Sequence, residues 1–104
     1  MLNACKALPM AAQTVSVDEV RRSWAERGFS CDVWTDPPGQ EWRDFVHDVE
    51  ELVLPIQGAI EVEFAGQCLR PRIGEEVLIP AHTRHTVRNI GGTVARWLYG
   101  YKLR

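Results

Sequence analysis

The spacing of apolar residues along the chain changes once, at Gly28. Upstream of it, Val17, Val20 and Trp24 recur at helical intervals and form an apolar stripe. Ser16 stands three residues before Glu19, the spacing of a capping box, in which each side chain bonds the other's free backbone N–H. Gly28 can supply the left-handed residue that ends a helix. The spacing predicts one short helix over Val17–Arg27, packed as a lid on the outside of a sheet. Downstream the period becomes two: Phe29, Cys31 and Val33 alternate with Ser30, Asp32 and Trp34, as in a strand with two unlike faces. Asp36-Pro37-Pro38-Gly39 breaks that strand. Further strands are predicted at about Trp42–Val46, Glu51–Ile56, Ala59–Phe64, Cys68–Pro71, Glu76–Ile79, His85–Asn89 and Ala95–Tyr101. The breaks between them fall at Gln57-Gly58, Ala65-Gly66, Gly74, Pro80 and Gly91-Gly92. In Ala59–Phe64, Ile60, Val62 and Phe64 are expected to face the core while Glu61 and Glu63 face water. Many short strands joined by tight turns predict an all-β sandwich or barrel.

At 104 residues the chain has room for one domain. Residues 1–13 show no periodicity and are expected to be a flexible arm, with residues 14–104 forming a single domain that includes the helix. The charge balance, −2 overall with a pI near 5.9, gives no basic footprint for nucleic acid or an anionic membrane. No run of about 18 apolar residues is present, so no spanning segment is expected. Leu2-Asn3-Ala4-Cys5 lacks the basic and apolar stretches that precede a lipoprotein cleavage site. Cys5, Cys31 and Cys68 show no paired spacing, which fits a reduced, cytoplasmic setting better than a disulfide framework.

The candidate chemistry lies in two blocks that hold all three histidines. On an extended strand, residues two or four apart point the same way, so Phe45, His47, Val49 and Glu51 would share one face, and His85, Val87 and Asn89 another. Side by side, the two strands would bring His47, Glu51 and His85 around one point. Two imidazoles and one carboxylate can hold a divalent ion and leave coordination positions open, as in non-haem iron sites. That donor set does not choose among iron, manganese, nickel and zinc.

These blocks resemble the two motifs of the cupin superfamily. Gly74, Pro80, His82, His85 and Asn89 keep the spacing of the second motif, with His82 where the family carries glycine. His47, Glu51 and Gly58 keep that of the first, with Phe45 in the position of the family's first histidine ligand. The resemblance covers roughly residues 29–101. It implies a double-stranded β-helix, or jelly-roll barrel, with the site in the barrel mouth, and a homodimer. It also implies three metal ligands, His47, Glu51 and His85; His82, close in sequence, is a possible fourth ligand or proton carrier, although the family's glycine at that position implies a turn. Phe45 is then placed at the site, where it makes the cavity more apolar. Phe45, Val49 and Asn89 are the expected pocket-lining residues, whereas Trp34, Trp42, Trp97 and Tyr99 are expected in the core or an interface. Arg88 is expected on a solvated face.

The leading expectation is a metal-dependent enzyme acting on a small organic molecule, dioxygenase- or isomerase-like. The alternatives are a non-catalytic small-ligand-binding or sensor module and, more weakly, a structural protein.

Overall fold

The structure is a computed structural model and describes residues 14–104. The arm expected over residues 1–13, with Cys5, lies outside the described residues. Helix α1 (Val17–Glu26) precedes eight strands: β1 (Asp32–Asp36), β2 (Glu41–Phe45), β3 (Glu51–Gln57), β4 (Ile60–Phe64), β5 (Gln67–Leu69), β6 (Val77–Ile79), β7 (His85–Asn89) and β8 (Ala95–Tyr101). They form two four-stranded antiparallel sheets, β1-β8-β3-β6 and β2-β7-β4-β5. Sequence neighbours β1 and β2 lie in different sheets, as do β3 and β4, so the chain crosses repeatedly between layers, giving the jelly-roll arrangement the resemblance implies.

The sheets close over an inner core: Val53, Ile79 and Trp97 from one pack against Ile60, Val62, Phe64 and Val87 from the other. A second apolar layer lies outside the first sheet. There Trp24 and Phe29 cover Leu52, Leu54 and Leu98, with Val17 and Val20 at its edge. Strand β3 is buried from Glu51 to Pro55 because its two faces enter different layers, Leu52 and Leu54 under the helix and Val53 toward the interior. Each such apolar side chain contributes about 1.5–3 kcal/mol of burial energy.

Ser16 caps α1, its Oγ accepting from Glu19 N–H at 3.3 Å. The indole of Trp24 donates to Glu76 Oε1 at 2.9 Å, and Arg27 grips the same carboxylate with two bonds of 2.9 and 2.7 Å. The Arg27 guanidinium, against some desolvation, holds the Glu76 carboxyl below its ordinary range. Close contact between helix and sheet requires Gly100, where a Cβ would collide with Ser30 O and lie 2.9 Å from Trp24 Cε3.

Away from the candidate site, two features differ from the sequence expectation. Strand β1 begins at Asp32 rather than Phe29: the helix-ending turn (Gly28, φ 87°) and the Phe29 N–H bond to Trp24 O leave Phe29 only an isolated bridge to Lys102 beyond β8. Phe29 and Cys31 nevertheless keep their inward parity, and both are buried. Glu61 was expected in water, yet it is buried. It lies on the outer face of the second sheet beneath Arg70 (3.0 Å) and Arg88 (3.1 Å), and Arg88 also reaches Glu41 and Glu63. Arg88 is therefore part of an ion-pair ladder rather than freely solvated.

Candidate metal centre and aromatic cavity

Strand β2 ends in an irregular turn. Asp44 adopts a left-handed conformation (φ 59°), its N–H bonds Thr86 Oγ1 at 3.1 Å, and the register with β7 shifts between Trp42 and Phe45. Residues 46–50 then leave the sheet, so His47 sits in a loop and not on the extended strand expected from its spacing to Glu51. The His82 N–H fixes that loop by donating to His47 O at 2.7 Å. Glu51 is the first residue of β3, and His85 is the first of β7 in the opposite sheet. They meet across the barrel interior, not side by side.

Ligand atoms of His47, Glu51 and His85 all lie within 4.8 Å of one another, the only such group of three or more His, Cys, Asp or Glu donors among the described residues. Glu51 Oε1 stands 3.0 Å from His85 Nε2 and 3.5 Å from His47 Nε2. Separations of this size suit donors sharing one ion at about 2.0–2.2 Å. Glu51 and His85 are only 4% exposed. His85 Nδ1 lies 3.0 Å from Thr83 O, a contact that places the ring proton on Nδ1 and leaves the Nε2 lone pair facing the site. Among the described residues Glu51 Oε1 is buried without a hydrogen-bond partner; its 3.0 Å contact with His85 Nε2 is an ion pair when the ring is protonated and two facing lone pairs when it is neutral. Burial works against the imidazolium of His85, but the Glu51 carboxylate and the Thr83 carbonyl outweigh it and raise its pKa above the ordinary histidine value. The His47 ring packs edge-on against Tyr101, centroids 4.8 Å apart. Burial, with the Glu51 and Tyr99 charges behind it, pushes the Tyr101 phenol up to about 12.

These groups form the polar end of a cavity of about 170 Å³. Its other walls are aromatic apart from Val87, and come from Trp34, Trp42, Phe45, Trp97, Tyr99 and Tyr101. Phe45 lines the cavity, near-parallel to the His47 ring at 6.2 Å. Trp34, Trp42, Trp97 and Tyr99, expected in the core or an interface, line the cavity as well; Trp97 also packs into the inner core, whereas Trp34 is 37% exposed. Behind them lies Asp36, 2% exposed, although Pro37-Pro38-Gly39 beside it predict a turn. Its Oδ1 accepts from Trp34 Nε1 (2.7 Å) and Trp42 Nε1 (3.0 Å), and its Oδ2 from Trp42 Nε1 (3.0 Å) and Trp97 Nε1 (3.2 Å).

The remaining sequence candidates stand outside the cavity lining. Val49 lies in the loop between β2 and β3. Asn89 is buried and staples two turns: its Nδ2 donates to the carbonyls of Asp36, Pro37 and Thr93, while its Oδ1 accepts from Gly91 N–H. His82 is exposed and left-handed (φ 61°), a conformation that explains why a glycine would suit this turn position. It is not one of the three clustered donors.

Comparison with known proteins agrees with this architecture. The curated polyketide synthase CurC of Streptomyces cyaneus is 32% identical over 63 residues, covering 60% of this chain and 41% of that protein. The chain thus spans less than half of that relative. Among solved structures, a Cupin_2 domain of an XRE family transcriptional regulator from Enterobacter cloacae superposes with a TM-score of 0.67 at 19% identity, over 78% of this chain and 88% of that one. A predicted oxalate decarboxylase from Thermotoga maritima gives 0.66 at 17% identity, over 86% and 76%. Identities this low speak for the fold alone. The cupin domain profile matches residues 32–101, from the first strand to the end of the last, and with both motif blocks inside that span the chain belongs to the cupin domain family.

Proposed function

We propose that this cupin is a metal-dependent enzyme acting on a small organic molecule, with His47, Glu51 and His85 as ligands of one divalent ion. The observation that carries the reading is Glu51 Oε1, a buried carboxylate oxygen without a hydrogen-bond partner beside two imidazole nitrogens. A buried acceptor left unpaired costs about 1–3 kcal/mol, and a cation is the partner this donor set fits. Thr83 and Tyr101 hold the two rings in place. The aromatic walls offer a small molecule apolar surface beside the three donors. A bound ion of iron, manganese, nickel or zinc supplies Lewis acidity or, with iron, oxygen activation of the dioxygenase-like kind.

The test is elemental analysis of tag-free protein beside His47→Ala and Glu51→Ala. Near-stoichiometric metal in the wild type, lost in both variants, is the expected result. A wild type that stays empty after incubation with each of the four ions would sink the proposal. A second reading, ligand binding without turnover, is favoured by Phe45: it occupies the position of a fourth protein ligand and leaves three donors to hold the ion. Oxygen uptake and substrate conversion by the metal-loaded protein separate the two.

A further inference from the structure

The three indoles around Asp36 give the cavity a chemical character that the metal ligands do not. An indole has one polar group, its N–H, and in Trp34, Trp42 and Trp97 that group is turned away from the cavity and spent on Asp36. What these residues offer a ligand is therefore ring surface. Trp34 stands nearly perpendicular to Trp42 (78°, 5.3 Å) and to Tyr99 (81°, 6.1 Å), so a planar guest stacked on one ring meets a neighbour edge-on. Among the described residues no lysine or arginine lines the cavity, which leaves an anionic ligand group without a partner from them. At the far end the unpaired Glu51 Oε1 asks for a donor. The volume, about 170 Å³, is close to the ~150 Å³ of an apolar cavity that admits benzene.

We infer that the cavity receives a single, uncharged aromatic ring carrying a hydroxyl at its Glu51-facing edge, and that Asp36 is the positioning residue that makes the walls selective for such a ring. In the metal-free protein the hydroxyl donates to Glu51 Oε1. In the loaded protein it faces the ion, and only this second statement rests on the metal reading above. Asp36 acts through the tryptophans: with both its oxygens accepting, it fixes three side chains from three different strands or strand ends in one orientation. Asparagine at this position offers a single acceptor oxygen and turns N–H groups toward the indole N–H groups.

The experiment is calorimetric titration of chelator-treated protein with phenol, anisole and cyclohexanol. Phenol is expected to saturate, with anisole and cyclohexanol each about tenfold weaker, a difference of about 1.4 kcal/mol. In Asp36→Asn the preference for phenol over cyclohexanol is expected to fall about tenfold, while the metal content of the untreated protein stays at the wild-type level. Trp34→Leu, at a half-exposed wall position, is expected to reduce the same preference and serves if the Asp36 variant fails to fold. Equal binding of phenol and cyclohexanol by the wild type, or a preference untouched in the folded variants, overturns the inference. Metal content is read on untreated protein incubated with each of the four ions: a wild type that stays empty, with the phenol preference intact, overturns the metal reading and leaves this one standing.

Discussion

Replacing Glu51 with glutamine should make the metal-free protein more stable while abolishing its metal binding. Glu51 Oε1 is buried without a partner, 3.0 Å from His85 Nε2 and 3.5 Å from His47 Nε2. An unpaired buried acceptor costs about 1–3 kcal/mol. The glutamine amide can place an N–H2 there, facing the His85 Nε2 lone pair that the Thr83 contact leaves available. One contribution runs the other way. His85 has a raised pKa in the folded protein, so its attraction to Glu51 is fully present below the unfolded histidine value, about 6.5, and disappears as pH rises through the folded value. At pH 9 with chelator, the variant should therefore gain about 1–2 kcal/mol. That gain corresponds to a melting temperature higher by about 4–8 °C per kcal/mol. Toward pH 6 the gain should shrink as the wild type recovers its ion pair. Metal reverses the order, because an ion at 100 times its Kd stabilises the wild type alone by about 2.7 kcal/mol. Thermal and urea unfolding, with chelator and with added ion, read all of these. A variant less stable than wild type in chelator at high pH would refute the reasoning, since Oε1 must then already have a stabilising partner.

Three further outcomes follow from the packing. Gly100→Ala should destabilise by at least about 2 kcal/mol through overpacking, because the new Cβ meets Ser30 O and the Trp24 ring; urea unfolding checks it, and a neutral effect would mean the helix sits off the sheet in solution. Glu76→Gln should lose about 1 kcal/mol at neutral pH, discounted for the half-exposed Arg27 partner. As the Glu76 pKa is depressed by folding, that contribution is present above the unfolded value, about 4.3, and fades as pH falls through the folded one, so wild type and variant should converge in acid unfolding curves. His82→Gly should be neutral or stabilising by up to about 1 kcal/mol, since it relieves a left-handed side chain while loosening the unfolded chain; unchanged metal content by elemental analysis would accompany it, and lost metal would make His82 a ligand after all.

The strands were legible because glycine and proline punctuate them and because alternation survives in Ile60, Val62 and Phe64, whose inward parity the structure reproduces. Where local pattern misled, a long-range contact had taken over. The parity argument placed His47 with Glu51 on one strand, but the left-handed Asp44, held by Thr86 from β7, ends β2 and throws His47 into a loop. The three donors still converge, by a route that spacing along one strand does not describe. Glu61 reads as a solvated strand residue until Arg70 and Arg88 fold over it. Asp36 was the least legible residue of all. Next to Pro37-Pro38-Gly39 it has the sequence surroundings of a turn; Trp34 stands on its own strand, but Trp97 comes from the paired β8 and Trp42 from the opposite sheet, contacts that no local pattern displays.

Two buried carboxylates serve this small cavity, Asp36 behind its aromatic wall and Glu51 at its polar end, and they are treated in opposite ways. Asp36 has both oxygens occupied by indole donors, whereas Glu51 keeps one oxygen without any. Folded proteins pair nearly all their buried polar atoms, because each orphan removes a sizeable share of a net stability of only about 5–15 kcal/mol. A chain able to bring three N–H donors to Asp36 is not short of means to satisfy a carboxylate. The donors that surround Glu51 are instead two imidazoles, one of them fixed by Thr83 with its lone pair toward the carboxylate, so they compete for the same vacant space rather than fill it. Saturated acceptors at one wall and converging unsaturated ones at the other are what a ligand site requires: a rigid apolar surface to hold the guest, and a polar end whose stability is completed only when something binds.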